Sequence, residues 1–222
     1  MSVPVIAIDG PSGAGKGTIA RLVAEALGYH LLDSGALYRL TAISATLQHI
    51  ELDDAEQLAV VARDLDVRFE SQEDDAESIW LNDVDITSKV REESTGAGAS
   101  IVAAIPEVRE ALYERQRGFQ MPPGLVADGR DMGTHVFIDA SLKIFLTASP
   151  EERARRRHKQ LKDKGIDVSL AALSWEIEGR DQRDSARSVA PLRPATDARI
   201  LDSSGHSIEA VTQTVLDWVK EL

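Results

Sequence analysis

The sequence predicts an α/β fold in which a parallel sheet of about five strands is flanked by helices, with a small antiparallel insert and a helical lid. Apolar runs alternate with helically spaced apolar residues along most of the 222 residues. A glycine-rich segment joins the first run to the first helix, and residues 66–87 switch to a period of two. Alternation of strands and helices is typical of a parallel sheet covered by helices on both faces.

The composition bounds the class of protein. Hydrophobic residues make up 43% and charged residues 28%, which indicates neither a disordered nor a membrane protein. The net charge of −12 argues against a nucleic-acid partner, and the lack of cysteine excludes disulfides and thiolate zinc sites. The first residues lack the basic region of a signal peptide, and no apolar run is long enough to cross a bilayer. We expect a cytoplasmic protein with no membrane partner.

The predicted elements follow the chain in order. The apolar runs predicted as strands are 5–8, 30–33, 125–128, 143–146 and 198–201. Helices are expected after the glycine-rich segment as far as Gly28, from about residue 36, and at 53–64, 106–120, 150–163, 169–182 and 207–221. The sequence Ser149-Pro150-Glu151-Glu152 is a capping box that marks one helix start.

The segment 66–87 has strand periodicity, with Asn82-Asp83 as a turn candidate. It is also acidic. We interpret it as a small antiparallel insert on the edge of the α/β core. A surface subdomain without a functional role remains an alternative at this point.

The glycine-rich segment reads DGPSGAGKGT over residues 9–18 and fits the phosphate-loop pattern G-x-x-x-x-G-K-[ST] except at Gly17. Backbone N–H groups of such a loop turn toward phosphate oxygens, and Lys16 reaches the β- and γ-phosphates. This pattern, between a strand and a helix, predicts a P-loop NTPase-type fold that binds ATP. The predicted ATP-binding residues are Gly10, Pro11, Ser12, Gly13, Ala14, Gly15, Lys16, Gly17 and Thr18.

Gly17 stands where a Ser or Thr hydroxyl usually meets magnesium. Without that hydroxyl, Mg²⁺ bound with ATP is held more by phosphate oxygens and water, and a nearby carboxylate can steady the waters. Asp128 ends the predicted strand 125–128 and is the candidate metal residue, acting through water. The alternative is an ordinary turn residue before Gly129. No protein-bound prosthetic group is expected.

A dense basic stretch begins at Arg153 and ends at Lys164, with Asp163 as its single acid. Further arginines follow at Arg180, Arg183 and Arg187. Arginines crowded on one helix repel one another unless anions lie among them, and arginine suits a bidentate grip on phosphate. We interpret the stretch as a phosphate clamp, with a solvated helix face as the alternative.

Other classes of protein with a phosphate loop need further sequence features, and these narrow the reaction class. A GTPase switch needs an N-K-x-D-like guanine reader, and the only asparagine is Asn82 in LNDV. Residues 202–205 match D-x-x-G but follow the last predicted strand, so we interpret them as a turn. A small-molecule kinase fits best, because its arginines gather charge on phosphates in transfer. A regulatory protein that binds ATP without turnover stays an alternative.

The stretches IDGPSGAGKGT, LLDSGALYR, ADGRDMGT and RDQRDSARSVAPL resemble the bacterial-type cytidylate kinases, members of the nucleoside monophosphate kinase group. The resemblance runs from Val5 to the final helix. DSGALYR and DGRDMGT are specific to that family, whereas GKGT is shared with adenylate kinases. The resemblance implies in-line transfer of the γ-phosphate of ATP to CMP and dCMP with Mg²⁺, by a monomer. Another P-loop kinase with a UMP or AMP acceptor remains open.

The resemblance also implies the site residues. CMP-binding roles fall on Ser34, Tyr38, Arg39, Ser100, Arg109, Arg130, Asp131, Arg180, Asp184 and Arg187. Catalytic roles fall on Lys16, Arg130, Arg157 and Arg180, and the helix 150–163 would be a mobile lid over ATP. Asp131 would accept from the cytosine N4 amine, where uracil has a carbonyl.

The resemblance further divides the chain into segments. Core segments are expected at 1–63, 96–149 and 189–222, a nucleoside-monophosphate-binding insert at 64–95, and lid and acceptor-closing helices at 150–188.

Overall fold

The computed structural model describes residues 3–71, 77–163, 165 and 167–222. Residues 72–76 of the predicted insert, together with Lys164 of the basic stretch, lie outside these. The chain forms two compact units, one from Met1–Asp33 with Gln116–Leu222 and the other from Ser34–Arg115. The finer segment boundaries drawn from the sequence stay predictions.

Strands and helices alternate along most of the chain. The strands are β1 (Val5–Asp9), β2 (His30–Asp33), β3 (Val67–Ser71), β4 (Glu77–Leu81), β5 (Val84–Asp85), β6 (Leu125–Gly129), β7 (Leu142–Thr147) and β8 (Arg199–Asp202). The α-helices are α1 (Lys16–Leu27), α2 (Ser34–Leu47), α3 (Ala55–Arg63), α4 (Glu93–Val102), α5 (Pro106–Arg117), α6 (Pro150–Asp163), α7 (Leu170–Ser185) and α8 (Ile208–Val219). A 3₁₀ turn (Lys89–Arg91) and a π-helical turn (Met132–Val136) complete the set.

The first unit is built on a parallel sheet with the strand order β2-β6-β1-β7-β8. The central strand β1 is buried along its whole length, as its uninterrupted apolar run predicts. Its Ile6 and Ile8 share an apolar core with Val23 of α1 and Val215 of α8. Because all five strands run the same way, their carboxyl ends meet at one edge of the sheet, which is where α/β folds bind ligands.

The second unit combines helices with a three-stranded antiparallel sheet in the order β3-β4-β5. The predicted turn is confirmed: Asn82 and Asp83 both have positive φ, 48° and 61°, as a type I′ hairpin requires. Helix α4 was not predicted, because its sequence ESTGAGASIV is rich in small residues with weak helix propensity. Those small residues allow close packing on α2, where a Cβ at Gly98 would lie 3.2 Å from Ala42 Cβ.

The predicted fold class is confirmed. All five predicted core strands are present, and the predicted insert contains the antiparallel sheet. Helix α5 ends at Arg117 instead of residue 120. The predicted capping box is present, since Ser149 Oγ accepts a hydrogen bond from Glu152 N at 3.2 Å. Within the part of the chain that the structure describes, no helix combines the length and apolar character needed to cross a membrane.

Candidate active site

The phosphate loop, residues 10–18, leaves β1 at the carboxyl edge of the sheet and enters α1 at Lys16. Gly10 must be glycine, because a Cβ there would lie 1.9 Å from the carbonyl oxygen of Leu146 on β7. Gly15 has a positive φ of 94° immediately before the helix. The loop is therefore packed directly against the sheet, and its shape depends on these glycines.

Lys16 is buried, with only 6% of its surface exposed. Its Nζ donates to the carbonyl oxygen of Pro11 at 3.0 Å and lies 4.0 Å from Asp128 Oδ1. Burial lowers the pKa of Lys16 to about 8, and the charge of Arg130 lowers it further, while Asp128 opposes both. An ammonium held this way gains more than an exposed one from an approaching phosphate.

Asp128 fills the space beside Gly17. A Cβ on Gly17 would lie 3.3 Å from Asp128 Oδ2, so this carboxylate lies next to the position that a Ser or Thr side chain at residue 17 would occupy. Burial raises the pKa of Asp128 to about 6; the Lys16 charge lowers it, and that of Asp33 raises it again. Asp33 is the register partner of Asp128 on β2.

Carboxylate oxygens at this edge fit magnesium, which binds proteins through one or two carboxylates and keeps its waters and the substrate phosphates as other ligands. The described residues hold no group of three or more metal-ligating side chains, so they do not form a metal site built from protein ligands alone. Asp128, with Asp33 beside it, suits the looser arrangement expected for Mg²⁺ carried by ATP.

A second cluster lies around Asp184 on α7, which is 1% exposed. Arg130, next after β6, donates through Nε to Asp184 Oδ2 at 2.9 Å, and Arg187 donates to Asp184 Oδ1. Burial opposes ionisation, but the charges of Arg130 and Arg187 outweigh it and lower the pKa of the Asp184 carboxyl. The three predicted site residues are thus brought together, with the carboxylate fixing both guanidinium groups.

Asp131 and the residues after it are held by a carboxylate that sequence reasoning missed. Asp9, the last residue of β1, accepts from the backbone N–H groups of Met132 and Gly133, both at 2.8 Å. Burial raises the pKa of Asp9 to about 7, against the lowering effect of these two hydrogen bonds. Asp131 itself is buried. Asp9 therefore ties the segment that carries Arg130 and Asp131 to the base of the phosphate loop.

The arginines of α6 have different partners from one another. Arg153 is buried and donates to the carbonyl oxygens of Ala148 and Ser12, at 3.1 and 3.0 Å, while its Nη2 lies 2.6 Å from Asp181. Arg156 donates to Ser203 Oγ and to the Ser203 carbonyl, at 3.0 and 2.6 Å. These two arginines contact the protein itself, and the phosphate-clamping role of the basic stretch stays a prediction.

The remaining arginines predicted to be catalytic are Arg157 and Arg180. Arg157 donates to Gln160 within α6 at 3.2 Å. Arg180 lies on α7 one turn before Asp184, and its charge lowers the pKa of both Lys16 and Asp184. Lys16, Arg130 and Arg180 thus concentrate positive charge at the carboxyl edge of the sheet.

The second unit contains the other predicted CMP-binding residues: Ser34, Tyr38, Arg39, Ser100 and Arg109. All except Arg39 are buried. The guanidinium of Arg109 lies 5.8 Å from the Tyr38 ring centroid, a cation–π distance, and donates to the carbonyl oxygen of Ala103 at 3.2 Å. Arg39 donates to the carbonyl oxygens of Val90 and Glu92, at 3.0 and 3.3 Å. Their roles toward CMP stay predictions.

The residues that sequence reasoning missed share one property. Asp9, Asp33, Arg153 and Ser203 all act on residues that are distant in the chain, as with Arg153 and Ser12, which are 141 residues apart. The two aspartates had a detectable signal, because each ends a predicted strand at the edge where ligands bind. For Ser203 the sequence offers no comparable signal, and the basic stretch marks Arg153 without indicating that it contacts the carbonyl oxygen of Ser12.

Comparison with known proteins gives a consistent result. The family model described as Cytidylate kinase matches residues 6–221. The chain is 59% identical over 216 residues to a cytidylate kinase of Pseudomonas paraeruginosa, covering 97% of this chain and 94% of that one. It is 53% identical over 222 residues to a cytidylate kinase of Ralstonia pickettii, covering 100% and 94%. A gluconokinase structure from Sinorhizobium meliloti, 16% identical with a TM-score of 0.50 over 98% and 92% of the two chains, shares the fold.

Proposed function

This chain belongs to the cytidylate kinase family and is a nucleoside monophosphate kinase, and from that premise we propose that it transfers the γ-phosphate of ATP to CMP and dCMP. The products are ADP and CDP or dCDP. We further propose that it acts with Mg²⁺, as a monomer in the cytoplasm.

The observation that carries the proposal is the set of cations in the first unit: Lys16 lies 4.0 Å from Asp128, Arg130 donates to Asp184 at 2.9 Å, and Arg180 lies one turn before Asp184 on α7. Phosphoryl transfer requires negative charge on the moving group to be offset, and preorganised cations in a buried site do this without reorganising. Lys16 is buried with Asp128 4.0 Å from its Nζ, and Arg130 is fixed by Asp184, so the protein holds these cations in place for the phosphates of the two substrates.

The acceptor needs no general base. A phosphate monoester has a second pKa of ~6 and is already largely ionised at neutral pH. The residues of the site therefore have to position the two nucleotides and exclude water, since a wet site would allow transfer to water. Lys16 and the loop amides suit the donor, while the Arg130–Asp184–Arg187 cluster suits the phosphate and sugar of the acceptor.

Magnesium fits beside Gly17, where Asp128 and Asp33 would hold its water ligands. Bound with ATP, the ion neutralises and orients phosphate oxygens. The chain's own residues then hold the water ligands of the ion in place and keep Lys16 charged. Asp128 contributes to the charge of Lys16 directly, because its own charge raises the pKa of Lys16.

Base recognition is proposed for Asp131 in the first unit and for Ser100 and Arg109 in the second. A buried carboxylate accepts a hydrogen bond from the cytosine amine and disfavours the uracil carbonyl. Arg109 and Ser100 can donate to the cytosine O2 and N3. Ser34, Tyr38 and Arg39 are proposed to line the acceptor site, with Arg39 on the CMP phosphate.

The test is a coupled assay of ADP release from ATP and Mg²⁺ with a panel of acceptors: AMP, CMP, dCMP, UMP, GMP, dTMP and shikimate. We expect CMP and dCMP to give the highest kcat/KM. Preference for UMP or AMP would replace the proposal with another nucleoside monophosphate kinase activity. Binding of ATP without ADP release for any acceptor would indicate a regulatory protein.

A further inference from the structure

We propose that Arg153 is a positioning residue: by donating to the carbonyl oxygen of Ser12, it orients the backbone N–H groups of the phosphate loop. Arg156 and Ser203 have the same role at the carbonyl oxygen of Ala14. The proposal rests on ATP binding at this loop. It assigns these residues a role in donor affinity that requires no contact with ATP.

The guanidinium of Arg153 uses all three of its nitrogen atoms. Nε donates to Ala148 O at the end of β7, Nη1 to Ser12 O in the loop, and Nη2 lies 2.6 Å from Asp181 on α7. The planar group is fixed on three sides, and its residue is only 4% exposed. A Cβ on Gly13 would lie 3.2 Å from Arg153 Cβ, so the loop contacts α6 directly at this point.

The consequence follows from the geometry of the peptide bond. In a trans peptide the C=O of one residue and the N–H of the next point in opposite directions across a rigid plane. Arg153 fixes the direction of the Ser12 carbonyl, and therefore it also fixes the Gly13 N–H, which points the other way. In a phosphate loop such N–H groups are the ones that bind phosphate oxygens.

The same arrangement recurs at Ala14. Its carbonyl oxygen lies 3.1 Å from Ser203 Oγ and 3.4 Å from Arg156 Nη1, and the hydroxyl of Ser203 also contacts Thr147 O at 3.0 Å. Holding this carbonyl fixes the Gly15 N–H. Together with Lys16, which donates to Pro11 O, the side chains hold the carbonyls of Pro11, Ser12 and Ala14.

A purely structural role is the competing explanation. In that case Arg153 would serve only to join α6 and α7 through Asp181, and its loss would lower stability without a specific effect on ATP. Asp181→Asn separates the two roles, because it weakens the link to α7 while the bond from Arg153 to Ser12 O remains. The loop-orienting role predicts that Arg153 variants lose far more ATP affinity than Asp181→Asn.

The experiment measures binding of ATP and of CMP separately by titration calorimetry, with Mg²⁺ present. The variants are Arg153→Met, which keeps the stem and removes the donors, Arg153→Lys, and Asp181→Asn. Arg21→Met is the matched control, because Arg21 is an exposed arginine on α1 whose ion pair is with Glu25. We expect Arg153→Met to bind ATP about 10- to 100-fold more weakly, the loss typical of a hydrogen bond from a charged donor, with CMP affinity nearly unchanged. Arg153→Lys should recover part of the loss.

A folded Arg153→Met whose ATP affinity equals that of the wild type would overturn the inference. If this variant does not fold, Ser203→Ala decides, with about fivefold weaker ATP binding expected and wild-type affinity contradicting the idea. Failure of the proposed function looks different: the wild type would bind ATP but not phosphorylate CMP. The calorimetric result for Arg153 stands in either case.

Discussion

Two regions at the carboxyl edge of the core sheet are held in opposite ways. The phosphate loop is held by cations, since Lys16, Arg153 and Arg156 donate to its carbonyl oxygens. The segment after β6, which carries Arg130 and Asp131, is held by anions: Asp9 accepts from its backbone, and Asp184 accepts from Arg130.

The difference matches what each region binds. Cations on the carbonyls leave the loop N–H groups free for a polyanion and add positive charge behind them. Carboxylates in the second region fix the arginines without consuming every donor, because a guanidinium has five N–H groups. The Asp9 support is sensitive to protonation near neutral pH, because burial raises the pKa of this carboxyl to about 7, whereas an arginine support is not. The two regions should therefore fail under different perturbations.

The largest effect is expected from Lys16→Ala in the cation-held region. Lys16 is buried and lies beside the position where charge develops in transfer, so its loss removes transition-state stabilisation. We expect kcat to fall by about 10²- to 10³-fold, the cost typical of removing one preorganised donor. Steady-state kinetics with ATP and CMP measures this, with circular dichroism to establish that the variant is folded. A folded variant that keeps more than about a tenth of wild-type kcat would rule out the role, since that loss is below ~1.4 kcal/mol.

Arg156 and Arg157 are neighbours on α6 that the sequence pattern alone does not distinguish. Arg156 is bonded to Glu152 and Ser203, whereas Arg157 donates to Gln160 one turn further along the same helix. Arg156→Ala should cost about 2–3 kcal/mol of stability, lowering the melting temperature by roughly 4–12 °C.

Arg157→Ala is the matched variant, and we expect it to lower kcat with a melting temperature close to that of the wild type, since an exposed hydrogen bond such as that to Gln160 contributes only about 1 kcal/mol. Thermal unfolding and kinetics on the same two preparations provide the test. Equal melting temperatures for both variants would show that the Arg156 contacts contribute little.

Some parts of the fold and of the candidate site could be predicted from the sequence, and others could not. Hydrophobic periodicity is a local property, so it located the core strands, and the loop motif located Lys16 with its glycines. The partner of a buried charge is set by tertiary structure, as with Asp9 and Met132, which are 123 residues apart. The basic helix looked like one phosphate clamp because spacing cannot tell a guanidinium that faces a backbone carbonyl from one that faces a ligand. Helix α4 was missed because packing of its small residues on α2 outweighs their weak propensity.

The anion-held region should respond to pH. The pKa of Asp9 is raised by burial from 3.8 to about 7 in the folded chain, so the folded state binds this proton more readily than the unfolded state. The stability it contributes is fully present below the unfolded pKa and is lost as pH rises through about 7. Relative to Asp9→Asn, which cannot titrate, the wild type should lose on the order of 2 kcal/mol between about pH 5 and 7. Urea unfolding at several pH values measures this, and parallel profiles for the two proteins would refute it.

The smallest expected effect concerns Asp131, and it bears on whether the anion-held region selects the base. If Asp131 accepts from the cytosine amine, Asp131→Ala removes an interaction that CMP makes and UMP cannot make. The carboxylate also repels the uracil O4, so UMP should lose little or gain slightly. Part of any loss will be common to both substrates, because Asp131 adjoins Arg130, which is bonded to Asp184. The quantity to measure is therefore the ratio of kcat/KM for CMP to that for UMP, which cancels the common part. We expect this ratio to fall by ~1–2 kcal/mol, roughly 5- to 30-fold.

Asp131→Asn is the control for shape, since its amide can still present an oxygen to the amine and should retain part of the preference. If the ratio is the same in all three proteins, Asp131 does not read the base, and the selectivity for cytosine must come from the second unit, where Ser100 and Arg109 lie.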